Sequence, residues 1–209
     1  LNRLQNKMDI LLANSSSGES KTLYNEVNKY YLPEPNDNFL TFTDDSKNFI
    51  ITSEKNGFNQ IYLYDMNGKL VKKLTDGQNE VIEIYGYDQK STKVLFKAYD
   101  QSPLRTAIYS VKTDNLEITK LSSGSGNNSA EFSKNYKYFI LSYTCTTSPT
   151  LITLNNDKGK QLRVLEDNSH IKTVLGNYDI PAKEFFTFTT SEGVLLNGYM
   201  VKPLDFDPN

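Results

Sequence analysis

The chain offers few side chains for catalysis. It holds one histidine, His170, and one cysteine, Cys145. A Ser-His-Asp nucleophile needs a base within reach of a serine, and zinc sites draw on several His or Cys ligands. His170 follows Asn168 and Ser169 at the start of a short helical pattern, which reads as a solvated position near a helix cap. Cys145 lies in YTCTTS near a strand end. With no basic cluster or helix start beside it to favour the thiolate, it reads as a small, half-buried thiol. A single cysteine excludes an intrachain disulfide. Asp65-Met66-Asn67-Gly68 invites a calcium reading, but LVKK follows where further acidic ligands are needed, so the segment reads as a hairpin turn. Asp44-Asp45 and Asp76-Gly77 read as turns as well. No catalytic residue, metal or cofactor is assigned to this chain. Asn14-Ser15-Ser16 and Asn127-Asn128-Ser129 match the glycosylation pattern. Tyr30 and Tyr31, in NKYYLPEP, lie on a passage that Pro33 and Pro35 stiffen. On residue type alone they read as packing tyrosines between strands.

The elements that must position these residues are strands. The chain has 209 residues, with 14 Tyr, 11 Phe and no Trp, a bias that suits pleated, half-buried segments. Lys plus Arg count 23 against 25 Asp plus Glu, so there is no basic footprint for nucleic acid. No apolar run approaches the roughly 18 residues of a membrane span. Three segments, NFIITS (48–53), KVLFKA (93–98) and YFILSY (138–143), each follow a polar turn, and their second residues, Phe49, Val94 and Phe139, recur at steps of 45. An apolar-aromatic strand precedes each, at Phe39–Phe42, Ile82–Tyr87 and Ala130–Phe132. A third follows, at Gln60–Tyr64, Ala107–Val111 and Thr150–Leu154, and a fourth closes each unit at Leu74, Leu121 and Leu165. Asn56-Gly57, Asn67-Gly68 and Lys158-Gly159 supply hairpin turns that need positive φ. Four short antiparallel strands per unit of this length is the period of β-propeller blades. Lys7–Ala13 and Lys21–Val27 read as the last two strands of an earlier blade, giving about three and a half blades. After Leu165 the pattern changes. Ser169 is placed to cap a short helix, HIKTVL, that ends at Gly176. Glu184–Thr189 and Val194–Val201 then form a hairpin outside the repeat. The expected division is a partial propeller at 1–167 and a linker helix with its hairpin at 168–209. Leu1 opens the chain without a Met, and LDFDPN closes it with nothing to tie it down, so it reads as a piece of a longer protein.

These residues also carry a resemblance. FLTFTDDSKNFIITSEKNGFNQIYLYDMNGKLVKKLTDGQNEV, QLRVLEDNS and EFFTFTTSEGVLLNGYMVKPLDFDP are similar to the dipeptidyl peptidase IV group of the prolyl oligopeptidase clan, most of all to its bacterial members. The resemblance implies an all-β partial propeller from an eight-bladed parent, followed by a connecting hairpin to an α/β-hydrolase domain absent from this chain. It implies a serine peptidase that removes X-Pro dipeptides from peptide amino termini, with a peptide of penultimate proline as partner. The family's nucleophile elbow, its Asp and His, and its glutamate pair for the amino terminus match no position here. By counting back from Glu34-Pro35, Tyr30 aligns with an aromatic lining the extended substrate subsite. Relatives can carry a basic residue at the next position, where this chain has Tyr31. Relatives are commonly secreted, periplasmic or membrane-anchored, and dimeric. The cut propeller faces would themselves favour pairing with a second chain. The alternatives are the propeller of a related oligopeptidase or acylaminoacyl peptidase, and a non-enzymatic propeller that binds proteins.

Overall fold

The computed structural model describes residues 1–35 and 38–207. Pro208 and Asn209, at the end of the 168–209 segment, lie outside the described residues. Two strands, β1 (Lys7–Ala13) and β2 (Ser20–Val27), pair antiparallel as a half blade. Three four-stranded meanders follow, each in simple sequential order. The first comprises β3 (Leu40–Phe42), β4 (Asn48–Ser53), β5 (Gln60–Asp65) and β6 (Leu70–Lys73). In the second are β7 (Val81–Asp88), β8 (Lys93–Tyr99), β9 (Thr106–Lys112) and β10 (Ile118–Lys120). The third is built from β11 (Asn127–Phe132), β12 (Tyr138–Cys145), β13 (Ser148–Asn156) and β14 (Gln161–Glu166). After helix α1 (Ser169–Leu175), the strands β15 (Lys183–Thr189) and β16 (Leu195–Val201) form a separate hairpin.

Turn chemistry fixes the hairpins. Asp65 Oδ1 accepts the backbone N–H groups of Asn67 and Lys69 at 2.9 Å each, and Gly68 takes φ 78°. Asn156 does the same two units later, accepting from Lys158 and Lys160, with Gly159 at φ 78°. Only glycine fits these corners. A Cβ on Gly68 would lie 2.2 Å from Leu23 O of the half blade, and one on Gly159 would lie 2.4 Å from Leu121 O of the second blade. The β5–β6 and β13–β14 turns therefore press on the outer end of the preceding unit. Lysines reinforce the same seam: Lys21 Nζ donates to Met66 O, and Lys72 Nζ donates to Thr113 O and Asp114 O.

Inner edges are tied as well. Val81 N–H donates to Asn59 O, and Asn59 Nδ2 donates back to Val81 O at 2.6 Å. In the next unit Asn128 N–H donates to Thr106 Oγ1 at 2.9 Å, and Asn128 Nδ2 to Thr106 O at 2.7 Å. Both links join residues 22 apart. Between these rims lie three apolar clusters. Met8, Leu23, Tyr24, Phe49, Ile51 and Tyr64 join the half blade to the first blade. Ile50, Ile61, Leu74, Ile84, Val94 and Phe96 join the first to the second. Leu95, Ile108, Leu121, Phe139 and Leu141 join the second to the third.

Two local expectations are corrected. Ser169 does not cap α1 but is its first residue; the cap position is Asn168, left-handed at φ 52° and without a side-chain cap bond. Asn168 Nδ2 donates to Thr150 O at 2.7 Å, which ties that side chain to β13, while Asp167 Oδ1 takes the Ser169 N–H at 2.9 Å. Gly176 ends the helix as expected, in the right-handed region at φ −64°. The inner strand expected at Ala130–Phe132 begins three residues earlier, because Asn128, polar but 1% exposed, is held by Thr106.

Candidate functional site

Tyr30 and Tyr31 stand on an arch between β2 and β3. Its feet are fixed by backbone bonds to the start of the chain: Asn28 N–H donates to Asn6 O at 2.9 Å, and Leu32 N–H to Gln5 O at 2.7 Å. Leu32 is buried in the first cluster, and Tyr30 N–H bonds Asn28 Oδ1 at 3.0 Å. Between those anchors the two rings project outward, 70% and 72% exposed. They do not pack between blades. Lys29 Nζ lies 5.3 Å from the centre of the Tyr30 ring, near enough for a cation–π contact. A positive charge thus sits beside Tyr30 on its chain-start side, a placement the sequence reading missed.

Against the far foot of the arch is a cavity of about 200 Å³. Leu32, Pro33 and Phe39 line it together with Glu26, Ser53 and Glu54. Burial first, and then the neighbouring Glu80 and Glu26 carboxylates, push the Glu54 carboxyl above its usual range. Glu26 is itself 6% exposed. Tyr24 Oη donates to its Oε2, and Ser53 Oγ donates to its Oε1 at 2.7 Å. Burial, then the bond to Glu26, drive the Tyr24 phenol far above its ordinary pKa, so it stays a donor. The Tyr24 ring meets Tyr64 edge-on with centroids 5.0 Å apart, and Tyr64 stacks on Phe49 at 5.4 Å. Glu26 also went unread in the sequence. Its signal was a charged residue two places from Tyr24 on the inward face of an alternating strand.

The other sequence candidates lie elsewhere. His170 is exposed on the seven-residue helix α1. The carboxylates of the three aspartate turns are occupied by local donors: Asp65 as described, Asp45 by Thr43 and Lys47, and Asp76 by Gly77 and Lys73. Asn14 Oδ1 accepts from Ser16 and Ser17, on an exposed hairpin tip. Asn127 is exposed on β11, where Thr144 Oγ1 bonds its carbonyl. Cys145 is half-buried as expected, but its acidity is not ordinary. Hydrogen bonds from Ser148 and Thr147, helped by the Thr147 N–H, bring the thiol down to about 6. The expectation that nothing nearby favours the thiolate is corrected: neutral hydroxyls do what no cation is present to do.

Three meanders packed blade on blade, with half of another ahead of them, define a partial β-propeller carrying an exposed aromatic arch. The chain belongs to the family described as the dipeptidyl peptidase IV (DPP IV) N-terminal region, whose profile matches residues 1–150. Its fold superposes on the crystal structure of Porphyromonas gingivalis dipeptidyl peptidase 4 with a TM-score of 0.93 at 38% identity, covering 100% of this chain and 29% of that one. The dipeptidyl peptidase 4 of Trichophyton rubrum is 28% identical over 77% of this chain and 21% of its own length. That of Arthroderma otae is 29% identical, also over 77% of this chain and 21% of its own. The chain therefore spans less than a third of the relatives it matches.

Proposed function

We propose that this chain is the propeller portion of a serine-type dipeptidyl peptidase that removes X-Pro dipeptides from the amino termini of peptides. Residues 1–167 form the propeller part, and 168–209 lead into the hydrolase domain. The observation that carries this reading is the exposed arch of Tyr30 and Tyr31 on a propeller of this family, held rigid at both feet. A rigid aromatic wall can orient a bound peptide at little entropic cost. Tyr30 lines the extended substrate subsite next to the pocket for the substrate's amino-terminal residue, with Tyr31 beside it. The bond-breaking residues lie outside this chain. Acyl transfer requires a nucleophile, a base and oxyanion donors brought together, and an exposed His170 on a short helix does not supply them. The propeller walls off the reaction and limits access to extended peptides.

The test is Tyr30→Ala in the full-length protein. Substrates with bulky amino-terminal residues are expected to lose about 1–3 kcal/mol in kcat/KM, with small ones hardly affected. An unchanged specificity constant across both sets would remove Tyr30 from the site. The 209-residue chain alone is expected to leave a chromogenic Gly-Pro substrate intact.

A further inference from the structure

We infer that Glu26 is the positioning residue of the Tyr30–Tyr31 arch and, through it, of the extended substrate subsite; this rests on the role proposed for Tyr30. Among the described residues Glu26 is the one charged side chain in the buried set. A carboxylate is rarely buried without compensation, and an apolar residue would fill the same interface at lower cost. What a carboxylate adds is direction. Its two oxygens are met by two hydroxyls that approach from different units: Tyr24 Oη from its own strand and Ser53 Oγ from the end of β4 in the next blade. The last turn of β2 is thereby locked to the first full blade. Only Val27 separates Glu26 from the arch, whose far foot, Leu32, is buried 3% exposed in the same cluster.

The arch thus leaves β2 beside the fixed Glu26 and returns at Leu32, and both of these residues line the adjoining cavity. Charge-assisted hydrogen bonds are shorter and more directional than neutral ones, which suits a fixed orientation. Glu26 touches no substrate in this arrangement. It acts by holding the loop that does.

Amide exchange and kinetics test this together. In the 209-residue chain, Glu26→Ala is expected to speed exchange at Asn28, Tyr30 and Leu32 about tenfold or more, while β11 to β13 keep their protection. Glu26→Gln keeps an acceptor, and both hydroxyls can reverse to suit its amide, so its exchange stays within about threefold of the parent. Ser53→Ala removes one donor without emptying the core, and is expected to give the Ala pattern at smaller size. In the full-length protein, Glu26→Ala is expected to raise KM for bulky amino-terminal residues about tenfold with kcat within about twofold. Added to Tyr30→Ala, it should cause no further loss. Unchanged exchange in the arch, or equal loosening of every blade, would overturn the inference, as would additive effects in the double variant. If Tyr30→Ala alone leaves KM unchanged, the reading of Tyr30 fails, and the exchange result by itself decides whether Glu26 holds the arch.

Discussion

The second strands of the first two full blades and that of the third are written in the same alphabet but buried differently. In β4, Phe49, Ile50 and Ile51 are all fully buried, and in β8 Val94, Leu95 and Phe96 are nearly so. Consecutive residues of a strand point to opposite faces, so both faces of these sheets are covered. In β12 burial alternates: Phe139 and Leu141 face inward, while Tyr138 and Ile140 are 48% and 38% exposed. Every residue of β14 is exposed. The hairpin goes further, with Phe185, Phe188, Leu195 and Tyr199 exposed on β15 and β16. The apolar content of the first two full blades is covered on both faces, whereas from the third blade onward one face is left uncovered by this chain. An apolar residue in this repeat therefore reports what should lie against it, not what does.

That comparison can be broken by truncation. Ile50→Ala is expected to cost about 2–5 kcal/mol, because the packed interface cannot collapse around the void. Ile140→Ala, already open to solvent, should cost less than about 1 kcal/mol in this chain. Urea unfolding at matched m-values measures both, and equal losses would mean that the third blade is covered after all. Glycine substitution gives a smaller, sharper contrast. Gly57 and Gly68 both have positive φ, at 95° and 78°, but only at Gly68 would a Cβ meet backbone, while Gly57 has nothing within 4 Å. Gly57→Ala should cost about 1 kcal/mol for the left-handed backbone, and Gly68→Ala at least about 2. Similar costs would show that the β5–β6 turn does not press on the half blade.

The smallest effect concerns the ends of the second strands, Ser53 and Cys145. Ser53 is 5% exposed and committed to Glu26 across an interface. Cys145, at the open end of the array, keeps its thiol within reach of solvent. Alkylation by iodoacetamide should follow a titration with a midpoint near pH 6, the lowered thiol value. Ser148→Ala should move that midpoint upward. Because the folded value is depressed, the linked stability is fully present above the ordinary thiol range, about pH 8.5, and is lost as pH falls through about 6. A native midpoint at the ordinary value would refute the hydroxyl contacts.

The blade repeat was legible because it is local: each polar turn leads into an apolar run, and Phe49, Val94 and Phe139 in those runs recur at steps of 45. Strand ends were less so, because they are set by partners in the next unit. Asn127 and Asn128 looked like loop until Thr106 paired with Asn128. The same limit hid part of the site. Tyr30 and Tyr31 could be picked out as adjacent aromatics between prolines, but their exposure depends on Gln5, Asn6 and Leu32. Glu26 carried only the signal of a charge on the inward face of β2, since its meaning arises from Ser53, 27 residues away. The acidity of Cys145 was misjudged for a related reason: hydroxyls two and three residues on carry no charge to notice.

The ties between residues 22 apart have a consequence for how such a chain is made. Asn59 lies just before the third strand of one unit, yet the group that seals it, Val81, belongs to the following unit. Thr106 waits in the same way for Asn128. On the ribosome the chain emerges from its amino end, and structure forms as segments become available. A unit released with all four of its strands would still lack its seal, and would gain it only after another strand had been translated. Folding would therefore trail synthesis by a constant interval, with one unfinished blade always at the exit.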